Sequence, residues 1–219
     1  MATSVRCERT NTIKVVELKK FYLCKLCLIV FGALLAVQSA IAESNNFYAL
    51  ASFSKGKGSQ AEGYDDNRSW DSTREGNFSG IAVGYRFPVS DRLWGGIEFS
   101  HLTGEARSDY PGYSENWAEG ITDLTGQLGV RSNAYFFYGS VSISRFEVVP
   151  RTKSLGNADL NTHGLGLGVE KMLADGYFIG VDYKSRFRDK SNYPNTLLGR
   201  KYWTENSIDT LGLRFGKHF

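Results

Sequence analysis

The chain is short of residues that staple, ligate or kink. Its three cysteines, Cys7, Cys24 and Cys27, all lie near the N-terminus. Everything beyond them therefore has no thiol for a disulfide, a thiolate nucleophile or a cysteine metal site. Histidine occurs only at 101, 163 and 218, without HxH or HExxH spacing. We accordingly expect no metal and no cofactor. Proline is limited to Pro88, Pro111, Pro150 and Pro194, which leaves long uninterrupted stretches free to pair as strands. Long apolar runs are also missing. Mean hydropathy is −0.30, and the one run near Leu26–Val37 is too short to span a bilayer, which takes ~20 residues.

That run reads instead as the core of a cleavable signal peptide over 1–42. Lys14, Lys19, Lys20 and Lys25 form a basic segment before it, and Ala40-Ile41-Ala42 fits a small-x-small cleavage site before Glu43. The segment before the core is unusually long. Of the chain's net charge of +3, residues 1–42 carry six Lys/Arg against two Asp/Glu, so 43–219 is close to neutral at −1. A nucleic-acid partner inferred from the overall pI would rest on a discarded leader, and none is expected.

Over 43–219 the sequence alternates with period two. Ile81, Val83, Tyr85 and Phe87 take one face while Gly80, Ala82, Gly84 and Arg86 take the other; Leu165, Leu167 and Val169 alternate with Gly164, Gly166, Gly168 and Glu170. One face is large and apolar. The other is rich in Gly and Ser with isolated charges, unlike the Lys/Glu/Thr mixture of a water-washed sheet. Small inward residues let a narrow barrel close, and Arg86, Glu98, Asp123, Glu170, Asp182, Lys184 and Arg214 are expected to pair inside it.

The alternation predicts strands at roughly 46–55, 77–88, 93–103, 118–131, 134–147, 160–173, 177–187 and 206–219. Joints at 88–92, 131–133 and 174–176 are then short, and those at 56–76, 104–117, 148–159 and 188–205 are long. Strict alternation of short and long joints fits tight periplasmic turns and long external loops, with both termini periplasmic. Trp94 and Tyr135 fall by short turns, and Trp117, Tyr202 and Trp203 by long loops, as interfacial belts require. The expected fold is an all-β, eight-stranded antiparallel transmembrane up-and-down barrel in a Gram-negative outer membrane.

The last strand, with Leu211, Leu213 and Phe215 alternating toward Phe219, resembles the signal read by the outer-membrane assembly machinery. Together with Gly80–Phe87 and Gly164–Glu170, 43–219 resembles the OmpA/OmpX-type eight-stranded outer-membrane β-barrel superfamily. Lys217 departs from the pattern, since an apolar residue is usual there, but its stem allows it to snorkel. The resemblance implies that Leu213, Phe215 and Phe219 form the assembly signal and that lipopolysaccharide and the assembly machinery are partners. It leaves the role open among adhesion, envelope integrity and lipid-modifying chemistry.

Recognition is expected in the external loops, where Tyr64, Trp70, Tyr113, Arg188, Lys190, Tyr193, Arg200 and Lys201 offer large polar-handled contacts toward surface or host ligands. Arg186 is expected to belong to the same basic loop. An alternative is an outer-leaflet esterase, since lipid A deacylases of the PagL type pair a His with a Ser two residues on. Here Ser100, His101 and Thr103 end the third strand, but Thr103 replaces the serine and no acid partner is evident. A narrow pore comes third, because the interior of eight strands is filled by side chains. The Gly-rich run after His163 is read as inward small residues, not a phosphate loop, because no helix follows it.

Overall fold

The computed structural model describes residues 46–64, 69–108, 117–150, 153–196 and 199–219. The expected leader over 1–42 lies outside them. Eight strands run β1 (Phe47–Tyr64), β2 (Ser69–Pro88), β3 (Leu93–Ser108), β4 (Trp117–Ser132), β5 (Tyr135–Val149), β6 (Ala158–Met172), β7 (Tyr177–Asn192) and β8 (Tyr202–His218). Each pairs antiparallel with its neighbours in sequence, and β8 closes on β1. Closure satisfies the backbone through the membrane-spanning part without help from solvent; toward the long-connection end the β6–β7 ladder stops at Gly164 and Arg186.

The barrel is inside-out relative to a soluble one. Phe53, Ile97, Phe99, Leu128, Phe137, Val141, Ile143, Leu167, Leu211 and Leu213 are all more than half exposed on the outer wall. An apolar surface of this extent needs lipid against it. Above the belt the outer wall turns charged, with Lys55 and Lys57 meeting Glu75, Arg107 meeting Glu105, and Arg145 meeting Asp159. At the other end, cations sit on aromatic rings: Arg131 lies 4.1 Å over Trp94 and Lys217 5.0 Å over Tyr177. That is the amphipathic chemistry of a bilayer interface.

The strands outrun the sequence-based boundaries at one end. β1 and β2 stay in register as far as Gly63 opposite Ser69, and β1 pairs with β8 as far as Tyr64 opposite Tyr202, so most of the long joint expected at 56–76 is a continuation of the barrel wall. Its residues are polar on both faces, so alternation could not reveal it. Crossing takes only ~9–11 residues per strand, and the remainder of these 15- to 20-residue strands rises beyond the belt. The end with short connections keeps tight turns, with Asn133 (φ 51°) and Asp175 (φ 56°) left-handed, a conformation that Asn and Asp tolerate best after Gly. β1 starts and β8 finishes at this same end, where Tyr48 pairs with His218.

Candidate functional site

The inward face is layered. Nearest the short-turn end, the Arg86 guanidinium is sandwiched 4.4 Å from the ring centres of both Tyr48 and Phe136. It donates two parallel hydrogen bonds to Glu170, at 2.7 and 2.9 Å. Phe178 and His218 pack against Tyr48 in the same layer. A planar guanidinium suits this place because it stacks and forks at once, which an ammonium cannot.

Mid-barrel, Arg214 bridges Glu98 and lies 3.5 Å from Glu170 and 3.7 Å from Asp182. It also donates to the Tyr138 hydroxyl at 2.7 Å, and the Tyr48 hydroxyl donates to Glu98 at 2.8 Å. Lys184 lies 3.6 Å from Glu98 and 3.5 Å from Asp123. Arg186 binds Asp123 through two nitrogens, at 3.1 and 2.6 Å. The cations Arg86, Lys184, Arg186 and Arg214 thus balance the acids Glu98, Asp123, Glu170 and Asp182. Every one of the seven inward charges named from the sequence sits in this network. Arg186 is an eighth member, and its placement corrects the loop reading. It continues the inward series Asp182, Lys184, Arg186, and the register shift between Arg186 and Asp189 comes after it.

Toward the long-connection end the interior becomes apolar: Phe78, Leu102, Ala106, Ile121, Phe146, Val148, Leu160 and Ile208 fill it. These residues, and the inward aromatics Tyr48, Phe136, Tyr138 and Phe178, depart from the expected inward face of small and charged residues. The signal was the parity of their positions relative to the neighbouring glycines. Those glycines make room for them: a Cβ on Gly84 would lie 2.3 Å from the Tyr48 ring, and one on Gly168 2.2 Å from that of Tyr138. Between the charged and apolar layers lies a void of about 20 Å³ beside Ser54 and Asp182, room for about one water.

The mouth is polar again. Glu62 accepts from Gln60, from the Tyr193 hydroxyl at 2.8 Å and from Tyr202 at 3.1 Å. Tyr193 is only 5% exposed and stacks on Tyr202, which corrects its assignment to the recognition surface. It follows β7 directly and turns inward to a buried acceptor. Burial, with the Glu62 charge second, raises its hydroxyl pKa above the ordinary tyrosine value, so it remains a donor. Of the other loop candidates, Tyr64 packs its ring on Tyr202. Lys190 lies 4.0 Å over Trp203, and Arg188 pairs with Asp71 and Glu205. Arg200 and Lys201 are exposed. Tyr113 and the Trp70 side chain lie outside the described residues.

Ser100 and His101 point to opposite faces of β3, Ser100 into the barrel and His101 out. His101 contacts Thr122 at 2.9 Å, and Thr103 donates to the Ser79 carbonyl. His101 and Thr103, at the positions of the His–Ser pair, thus share the outward face of β3, but each is engaged with another residue and not with the other. Leu213 and Phe215 face outward on β8, and the Phe219 amide donates to the Phe47 carbonyl at 2.8 Å.

Closure, the apolar outer wall and the balanced interior define a transmembrane eight-stranded up-and-down β-barrel. No family model and no curated protein matches the chain. Among solved structures it is similar to the outer membrane protein OprG from Pseudomonas aeruginosa, with 11% identity over 80% of this chain and 97% of that one, TM-score 0.46. It is similar to Neisserial surface protein A, with 12% identity over 80% and 98%, TM-score 0.43. It is similar also to Ail, the attachment invasion locus protein of Yersinia pestis, with 13% identity over 76% and 98%, TM-score 0.37. These likenesses are of barrel architecture alone.

Proposed function

We infer that the protein resides in the outer membrane of a Gram-negative bacterium, termini toward the periplasm, and acts in surface interaction or envelope integrity through its external end. The observation that carries this reading is the filled interior. With charged and apolar layers occupying the lumen and lipid against the wall, chemically varied exposed groups gather at the long-connection rim. There Lys190 on Trp203, Arg188, Arg200 and Lys201 present basic and aromatic surface of the kind that binds acidic lipopolysaccharide or host polyanions.

The test is cell binding to an immobilised sulfated polyanion. Arg200→Gln with Lys201→Gln should lower binding and flatten its salt dependence, while the barrel still resists detergent unheated and shifts on boiling. Undiminished binding by the double variant would remove the adhesive reading and leave envelope integrity. A protein found in the soluble periplasm would remove both.

A further inference from the structure

Arg74 is the inward residue on β2 two positions closer to the mouth than Gly76. It is 3% exposed, and none of Nε, Nη1 and Nη2 has a hydrogen-bond partner among the described residues. The contrast with Arg86, Arg186 and Arg214 is sharp, since each of those forks onto buried carboxylates. Gly58, the partner of Arg74 on β1, also pairs with Ile208 on β8 and puts no side chain between them. Beneath lies the apolar layer of Phe78, Ala106 and Ile208, which supplies no acceptor. Glu62 and Tyr193 are the titratable groups that face it, but both Glu62 oxygens are already engaged by Gln60, Tyr193 and Tyr202.

A guanidinium carries five N–H donors and does not give up its charge. Left unpaired out of water it is strongly unfavourable, so a site that keeps one in place is a site for an acceptor. The geometry is a donor fork under a polar rim of Gln60, Thr204 and Asn206, above a floor that cannot compete. A fork matches an oxyanion through paired hydrogen bonds. Burial restricts the guest to a single small group and excludes a polyanionic stretch.

We propose that Arg74 is the anchor of an oxyanion-binding site in the external mouth of the barrel, taking a phosphate-class group, free or as the terminus of a sugar phosphate. The site is a property of the folded barrel and stands or falls apart from adhesion. It is tested on the folded protein in detergent by the unfolding midpoint in inorganic phosphate against chloride at matched ionic strength. Phosphate should raise the midpoint saturably. Arg74→Gln should match or exceed the parent's midpoint in chloride, because an unpaired buried charge is gone, and should bind phosphate at least tenfold more weakly. Arg145→Gln, exposed on the outer wall, should keep the parent's response. Glucose 6-phosphate distinguishes the guest: an equal shift identifies a sugar-phosphate terminus, and a shift with inorganic phosphate alone identifies the free ion. Equal phosphate responses in the parent and Arg74→Gln, or no response in the parent, overturn the proposal. If Arg74→Gln does not fold, crystals of the parent soaked in selenate decide. An anomalous peak within hydrogen-bond distance of the guanidinium supports the site, and none there refutes it.

Discussion

The side chains that matter most are those for which a membrane barrel's interior leaves no alternative partner. Arg86 and Glu170 are each buried, and their two hydrogen bonds are bracketed by aromatic rings. Removing one partner leaves an uncompensated charge in a low-dielectric layer, which costs roughly 3–5 kcal/mol, whereas replacing both by apolar groups is often close to neutral. Glu170→Ala is therefore expected to lower unfolding stability in lipid vesicles by roughly that amount, with much of the loss recovered by Arg86→Met in the same molecule. A double-mutant cycle in denaturant reads the coupling directly. Additive losses would mean that the two groups are held by their other neighbours and not by each other. Arg145 with Asp159, solvent-exposed on the outer wall, is the comparison in which truncation should leave stability unmoved.

At the level of strands, inward glycine is spatially linked to inward aromatics on the adjacent strand. Gly168→Ala would drive a Cβ to 2.2 Å from the Tyr138 ring, whereas Gly139 faces outward and its added Cβ would meet nothing closer than 4.0 Å. Overpacking of this sort costs about 1–3 kcal/mol. Gly168→Ala should lose that much stability, or fold to a smaller heat-modifiable fraction, while Gly139→Ala folds as the parent does. Equal behaviour of the two would show that Tyr138 can move aside without loss. The same linkage explains what could be read from the residues alone. Where one face meets lipid and the other closes a narrow lumen, as in Gly80–Phe87 and Gly164–Val169, alternation marked both strand and inward charge. Where the strands rise clear of the belt, as in Lys55–Gly63, both faces are polar and the hairpin looked like a loop. Arg186 and Tyr193 were misplaced for a related reason. Arg186 still lies in the regular alternation of β7, before its register shift, and Tyr193 follows β7 on a connection that turns inward, so the assumption that residues near the loop face water fails at both.

For the whole molecule, the outward apolar wall makes a claim that a soluble barrel would not share. Leu167 is 69% exposed. In water, a substitution at such a position typically changes stability by no more than about 0.5 kcal/mol. Near a bilayer midplane, Arg costs ~2–4 kcal/mol. Leu167→Arg should therefore be markedly destabilised in lipid vesicles, and a neutral result would place this face in water. The interior makes the complementary claim about transport. An ion entering from the mouth meets the apolar layer of Phe78, Ile121, Phe146 and Leu160, where shedding its hydration finds no compensating ligand. One that passed it would meet the charged network, Arg186 on Asp123 and Arg214 on Glu98 first and Arg86 locked onto Glu170 between two rings last. The two barriers are in series, so opening one leaves the other in control. The parent protein should give no discrete conductance steps in planar bilayers. Thinning the upper layer alone, with Phe78→Ala and Phe146→Ala, should leave it silent. Steps should emerge only when Arg86→Ser is added, and only if the barrel remains folded, which its mobility before and after boiling checks. Steps from the parent would mean that one layer moves on the timescale of ion passage and that the barrel conducts by rearrangement. Steps from the upper-layer variant alone would place the whole barrier among the apolar residues, and the charged layer would then serve stability without gating.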